Sequence, residues 1–584
     1  MSLREMTSSV LLLGLSACLF CGLPALADRP VRVTSNASFL TDSPSMETGL
    51  ADRSLLTSVV LQACPGEAEP FSVVIENTSN DAVTVLPSIS DFVASESVIP
   101  LANVDIKYIL WWYQASGAWN SHRRARGKGK GPVLVPELVA NDPTLVRTLS
   151  EDAVNHLKIG GADSTRYRDI SIRSIATNQD VLDTNYYEIF DAPALMPVSI
   201  GAHEAQQILV DIEIPKSTPA GNYSAVLSLQ IDGREKEVLV PVSLRVLPFA
   251  LKGPALEFSI YYRGKLSPGN PTTSSEYKDE KQLVADLLDI KALGISNPVT
   301  YQRSRPKGLL GPRSREQAKA RLRRVLGIRR NLDLVAPNFY YLGRLIGFPN
   351  TKKHFRHLGE EISELQDMVQ EYGFERLYLY GKDEAKGERL ASQRETWEFV
   401  RSRGAKVFVA GSAGHTEAMG GLTDLLIQHG PPSETEADYV HTFKNRIFSY
   451  SNPQIGTENA ALFRRNYGFN LWRVGFDGAM PYAYQHAMGD PWNDFDHKIY
   501  RDLMLAYPSA DKPIRTLAWY GLREAIDDTR YLAILLDHLD AESESQGSQE
   551  ELMRVKTEVL RGPGDRPVET RSMIIDVLAP RPSF

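Results

Sequence analysis

The sequence predicts a multidomain chain: an N-terminal β-sandwich followed by a (β/α)8 TIM-type barrel. Three observations carry that expectation. From about Val31 to Ala250, short alternating apolar runs are separated by polar turns, with no long helical period. From Leu256 onward, strand-like and helix-like stretches alternate, the pattern of a parallel sheet covered by helices. Finally, Arg376-Leu-Tyr-Leu-Tyr-Gly-Lys-Asp-Glu-Ala385 reads as a buried strand, stopped by a glycine, with two carboxylates just past its end.

At 584 residues the chain exceeds what one core holds, so two or three domains are expected. Its 65 Lys and Arg against 72 Asp and Glu leave a net charge of −7, which argues against a nucleic-acid partner. Residues 1–27 read as a signal peptide. Arg4 supplies the charged start, Val10 to Leu15 open the apolar core, and Ala25-Leu-Ala27 is the cleavage pattern. Leu15-Ser-Ala-Cys18 also resembles a lipobox, but the residues after Cys18 are apolar rather than a polar tether, which favours cleavage after Ala27. The protein is therefore expected to be exported, periplasmic or extracellular, and to meet a membrane only if lipidated at Cys18. Beyond the leader only Cys64 remains, so no intrachain disulfide is possible, and a buried structural role is expected for it.

The β-sandwich is placed at 28–250. Phe71–Ile75, Val104–Tyr108 and Ile208–Ile214 alternate, and Asn222–Ile231 turns at Asp232-Gly233 to return through Val238–Leu247 as a hairpin. Within it, Arg123–Gly131 is a glycine-spaced basic loop, read either as solvated surface or as a contact for an acidic polymer. Trp111, Trp112, Tyr113 and Trp119 are either core or a sugar-stacking platform.

The barrel is placed at 254–540. Its expected strands are Leu256–Tyr262, Asn297–Tyr301, Leu334–Tyr341, Arg376–Tyr380, Lys406–Ala410, Tyr439–Thr442, Ile447–Tyr450 and Gly478–Tyr482. Helices are expected at Glu280–Leu293, Arg315–Leu326, Leu358–Tyr372, Arg389–Arg403 and Glu458–Asn466, with the sixth-to-seventh connection too short for one. A last amphipathic helix runs from Ile514 to about Leu535, and 541–584 is a helical tail whose start, Ala541–Glu550, is polar.

Asp383 and Glu384 are the candidate catalytic pair, because the carboxyl ends of barrel strands form the rim where chemistry is done and glycosidic hydrolysis uses paired carboxylates. Tyr301, Tyr341, Tyr380, Tyr450 and Tyr482 are candidates for stacking on sugar faces, and Asn338, Asn452 and Asp477 for binding hydroxyls; packing of the rim competes as a reading for each. His415, His441 and His486 lack metal-ligand spacing, and neither a phosphate loop nor Gly-x-Ser-x-Gly is present, so no metal and no cofactor is expected.

Three stretches resemble glycoside hydrolase family 123 and the wider set of proteins sharing its catalytic domain. They are Tyr380-Gly-Lys-Asp-Glu384, the long motif Arg515–Leu532, and Ile214–Tyr223 near the end of the sandwich. The resemblance implies a carbohydrate substrate and retaining hydrolysis of β-N-acetylgalactosaminides, with the substrate's acetamido group as nucleophile. Asp383 would then orient the acetamide and Glu384 would be the acid/base, with Glu384 held protonated and Asp383 ionised. Ala385 departs from the proline frequent at that place in the family. Rival readings are a conventional retaining glycosidase with Asp477 as nucleophile, acting on another and possibly anionic glycan, and a non-catalytic glycan-binding surface protein.

Overall fold

A computed structural model describes residues 31–35, 55–125, 131–160, 166–172, 188–232, 238–267, 273–305, 312–346, 351–540, 546–561 and 566–580. The expected signal peptide with Cys18, most of the basic loop (126–130), Gly233 of the expected turn and the start of the tail lie outside the described residues. Among them, no helix is long and apolar enough to cross a membrane.

The N-terminal region is almost entirely β-sheet. One sheet runs in the order Val31–Ser35, Ala68–Asn77, Ala205–Glu213, Val104–Gln114, Val133–Ala140. The other runs Val198–Ile200, Val83–Ile89, Gly221–Ile231, Val238–Val246, Val59–Ala63. Gly221–Ile231 shows why a strand forms. Tyr223, Ala225, Leu227, Leu229 and Ile231 are buried, while Ser224, Val226 and Gln230 between them are exposed, the two-residue period of a strand with one wet face. Inner-face residues of both sheets, such as Val73, Ile208 and Val210 from one and Val85, Leu227 and Val240 from the other, share a single core. Tyr223 Oη donates to the Pro219 carbonyl at 2.9 Å, bracing the chain as it enters the Gly221–Ile231 strand. Trp112 belongs to this core, its indole N–H donating to Glu137 Oε2 at 2.7 Å, so it is no sugar platform.

The second region is built on one parallel sheet. Its order is Glu257–Phe258, Gly478–Ala479, Arg446–Ser449, Leu425–Gln428, Lys406–Gly411, Arg376–Tyr380, Asn338–Leu345, Val299–Thr300, Tyr261–Tyr262. Every pairing in that row is parallel. Arg376–Tyr380 has the bounds read from the sequence. The other expected strands shift their ends, and one is no strand at all. Tyr439–Thr442 is the end of a helix, Glu434–Thr442, and the sixth strand is Leu425–Gln428, buried throughout. A four-residue apolar run carries no period of its own, whereas Glu434 and Glu436 in a first turn suit the positive end of a helix. The correction also supplies the helix that the sixth-to-seventh connection lacked.

The long helix, Leu517–Asp540, ties the regions together. Arg523 donates two hydrogen bonds to Asp211 of the two-sheet region, at 2.7 and 2.8 Å. Arg515 and Trp519 both donate to Asp289 of the Glu280–Ala292 helix. Two tail helices, Gln546–Arg561 and Pro567–Leu578, pack on it through Leu552, Val555, Ile574 and Ile575. From the tail, buried Arg571 reaches Asp528 and Glu524 of the long helix and Glu67 and Glu69 of the two-sheet region. Removing one partner from such a buried charge network strands the others, so the motif is cement rather than chemistry. Cys64 is sealed beside it, and burial pushes its thiol far up, against any nucleophilic role.

Candidate active site

The strand Arg376–Tyr380 alternates its side chains, and Tyr378 and Tyr380 turn toward Phe408 of the neighbouring strand. Beyond Tyr380 the chain must pass under a helix. A Cβ on Gly381 would come within 2.6 Å of the Trp397 ring and 3.2 Å of Val409 Cβ, so only glycine fits. The turn that follows carries Asp383 and Glu384. Glu384 has φ of +45° and its N–H donates to the Ala410 carbonyl at 3.1 Å. A left-handed conformation at a non-glycine residue costs about 1–3 kcal/mol, and here it aims a carboxylate into the cleft.

Each carboxylate is held by its own tyrosine. Tyr380 Oη donates to Asp383 Oδ1 at 2.5 Å, and Tyr450 Oη, just past the Arg446–Ser449 strand, donates to Glu384 Oε1. Tyr380 is itself located by the Ala410 N–H at 3.2 Å and by Tyr261 Oη at 3.3 Å. All three tyrosines are buried, while Asp383 and Glu384 are exposed to the cleft. Crowding by protein pushes the Asp383 carboxyl above its ordinary value; the Glu384 charge adds to this and the Tyr380 hydroxyl opposes it. The push on Asp383 raises the pH at which it loses its proton. Because its side chain still meets solvent, the push is gentler than for a sealed acid.

Tyr482 lines the same cleft, its ring 5.2 Å from that of Tyr261 and its hydroxyl 3.0 Å from His486 Nδ1. Arg263 Nη1 donates to Tyr482 Oη at 2.7 Å, and its guanidinium lies 5.7 Å from the half-buried Tyr301 ring. His429 stands against Tyr450 with ring centroids 5.4 Å apart. From the two-sheet region, His122 approaches His429; burial and the nearby Arg123, His429 and Arg501 lower its pKa to about 4. Arg123 lies over the Tyr500 ring and Arg124 donates to the carbonyls of Phe495 and His497, so the start of the basic loop is bound to the second region. Tyr261, Arg263 and His429 escaped the sequence reading, which weighed His486 only as a metal ligand. No local motif marks them, although Tyr261 and Arg263 flank the end of an expected strand.

Three expected site residues are elsewhere. Tyr341 is fully buried beneath the outer helices, its ring stacked on Phe339 and its hydroxyl accepting from the Ser304 N–H at 2.9 Å. It neighbours Tyr340, which faces Tyr378 and Phe448, and alternation sends it the opposite way. Asn338 opens its strand, where its side-chain oxygen accepts from Arg376 at 2.9 Å. Asp477 precedes the Gly478–Ala479 strand and accepts from the Ile447 N–H at 2.8 Å and from His441 at 3.0 Å. Both lie at the amino ends of the strands, a strand's length from Asp383 and Glu384, so Asp477 is no partner for Glu384. Asn452 is on the loop after Tyr450, with its side-chain oxygen taken by Asn466 at 3.0 Å. Among the described residues no group of three or more His, Cys, Asp or Glu is arranged to hold a metal ion.

Two carboxylates and a ring of tyrosines at the carboxyl ends of parallel strands make a cleft suited to a sugar. Comparison with known proteins agrees. Residues 344–535 match the family model for the catalytic domain of glycoside hydrolase 123. No curated protein matches the sequence. Among solved structures, a family 123 glycoside hydrolase from Clostridium perfringens, described for glycolipid glycan hydrolysis, aligns with a TM-score of 0.60 at 10% identity, over 94% of this chain and 97% of its own. A β-glucuronidase from Parabacteroides merdae aligns at 8% identity over 85% of this chain and 74% of its own, with a TM-score of 0.28 that carries no argument. Residues 344–535 are thus similar to the catalytic domain of glycoside hydrolase family 123, and the fold of nearly the whole chain is similar to that of a family 123 enzyme.

Proposed function

We propose that the protein is an exported, retaining β-N-acetylhexosaminidase, acting on N-acetylgalactosaminide-like residues by substrate assistance. The observation that supports it is the adjacent pair Asp383 and Glu384 in the family-matched segment, each bound by a separate tyrosine hydroxyl. An ionised Asp383 accepts the acetamide N–H, which makes the carbonyl oxygen a better nucleophile toward the anomeric carbon and stabilises the oxazolinium that forms. Glu384 gives its proton to the leaving oxygen, then takes one from the water that opens the ring. The parallel sheet is read as a closed (β/α)8 barrel. In support of that reading, the two ends of its row, Glu257–Phe258 and Tyr261–Tyr262, are consecutive pieces of one stretch, as closure requires.

The test is hydrolysis of aryl β-glycosides with and without a 2-acetamido group. Turnover confined to the acetamido substrates, with competitive inhibition by a thiazoline mimic of the cyclised intermediate, is expected. A glycosyl group trapped covalently on a carboxylate, with indifference to the thiazoline, would exclude substrate assistance.

A further inference from the structure

One wall of the cleft is strongly cationic. Arg263 and Lys265 follow the Tyr261–Tyr262 strand, Arg303 and Arg305 follow Val299–Thr300, and Arg344 closes the Asn338–Leu345 strand. Three successive strands thus each deliver cations to the end of the sheet where Asp383 and Glu384 lie. The pairing of Leu345 with Tyr380, and the bond from Ile346 N–H to the Tyr380 carbonyl at 2.9 Å, put Arg344 alongside the strand that carries the pair.

Two carboxylates serve these five cations, and both are sealed beneath them. Glu276 binds Arg263 and Lys265, and Glu361 lies 3.3 Å from Arg344 and 3.4 Å from Arg305. The Glu276 and Glu361 side chains are 6% and 3% exposed, while those of Arg344 and Arg305 are 38% and 35% exposed. Arg303 is exposed and has no ion pair among the described residues. Solvent in the cleft therefore meets guanidinium and ammonium groups, with their counter-charges on the protein side. Two arginines of the helix that follows, Pro312–Asn331, are taken up by the protein. Arg329 is buried on the Pro298 carbonyl, Thr300 and Asn297, and Arg324 pairs with Glu280 on the outer helices.

We propose that this wall, with Arg303 and Arg344 at its centre, is a subsite for an anionic substituent of the glycan, a sulfate ester or a uronate carboxylate. This deepens the reading above and rests on it for the position of the sugar. Guanidinium groups suit both oxyanions, because their N–H forks match the oxygen spacing and their charge is permanent. The sulfate is the bulkier anion, with three terminal oxygens to spread over several cations; the carboxylate is planar and fits one bidentate arginine.

The test measures binding, so that it stands apart from turnover. Calorimetry on the full chain compares N-acetylgalactosamine, its 6-sulfate, and methyl β-glucuronide, at low and at physiological salt. At least one anionic sugar is expected to bind about tenfold tighter than N-acetylgalactosamine, and the advantage should shrink as salt screens it. Which anion gains identifies the source. Arg303→Gln and Arg344→Gln should each lower the anionic-to-neutral ratio, with Arg344→Lys recovering part of it, and circular dichroism verifies folding of each variant. Equal affinity for neutral and anionic sugars, or an anionic advantage untouched by both glutamine variants, overturns the proposal. Hydrolysis of a neutral aryl N-acetylgalactosaminide, assayed separately, reports on the proposed function alone.

Discussion

The two ends of the parallel sheet use the same residue types for opposite purposes. At the amino ends, Glu257 is taken up by Tyr340 and Arg446, Asp477 by a backbone N–H and His441, and Asn338 by Arg376. At the carboxyl ends, Asp383 and Glu384 each receive a side-chain hydrogen bond from a neutral tyrosine hydroxyl and face solvent. A carboxylate saturated by cations and amides contributes to stability. One held by a phenol is oriented without being neutralised, so it stays available to a substrate amide or a leaving oxygen. The comparison teaches that the identity of an acid says little about its role; its unfilled hydrogen-bonding capacity says more.

The sharpest way to break this contrast is Glu384→Gln. Turnover of substrates with poor leaving groups should fall by about 10²–10⁴-fold, and by much less for an activated aryl leaving group that departs without a proton. A uniform loss on both would remove Glu384 from proton transfer. Next in size is Asp383→Asn, expected to lower kcat by about 10²-fold or more while sparing the fold, since it removes the charge opposite the oxazolinium. Substrate affinity measured with the thiazoline mimic should fall in parallel; unchanged thiazoline binding would count against Asp383 as the stabilising anion.

Tyr380→Phe sharpens the comparison through pH. Burial raises the folded pKa of Asp383 and the Tyr380 hydroxyl lowers it. The reaction needs Asp383 ionised, so activity is lost as pH falls through a pKa above the ordinary carboxylate value. Without the hydroxyl that pKa rises further, and the acidic limb of kcat/KM should move to higher pH, with about a tenfold loss at the acid side and little change near neutrality. An acidic limb that stays in place would disconnect Tyr380 from Asp383. The smallest catalytic effect is expected at the opposite end. Asp477→Ala should cost about 1–3 kcal/mol in chemical denaturation, by orphaning the Ile447 N–H, while turnover per folded molecule holds. Abolished turnover in a folded Asp477→Ala protein would reinstate it as a nucleophile.

Much of this was legible in the residues. Alternation dictated Gly221–Ile231 and Arg376–Tyr380, because a strand half in water writes its period into the sequence, and the Asp383-Glu384 turn was marked by the glycine that a tight passage requires. What the sequence could not say was which way a residue faces once its strand is buried on both sides. Tyr340 and Tyr341 are adjacent and chemically identical, yet one packs on Glu257 inside the sheet and the other on Phe339 beneath the helices. Leu425–Gln428 was missed for the same reason: a strand covered on both faces shows no alternation. Position along the strand was legible for Asp477, which immediately precedes the expected strand Gly478–Tyr482, whereas Asn338 falls at an amino end because its strand begins there rather than at Leu334. The gathering of Arg263, Lys265, Arg303, Arg305 and Arg344 into one wall belongs wholly to tertiary structure, because the parallel sheet brings together loop ends that lie as much as 81 residues apart in the chain.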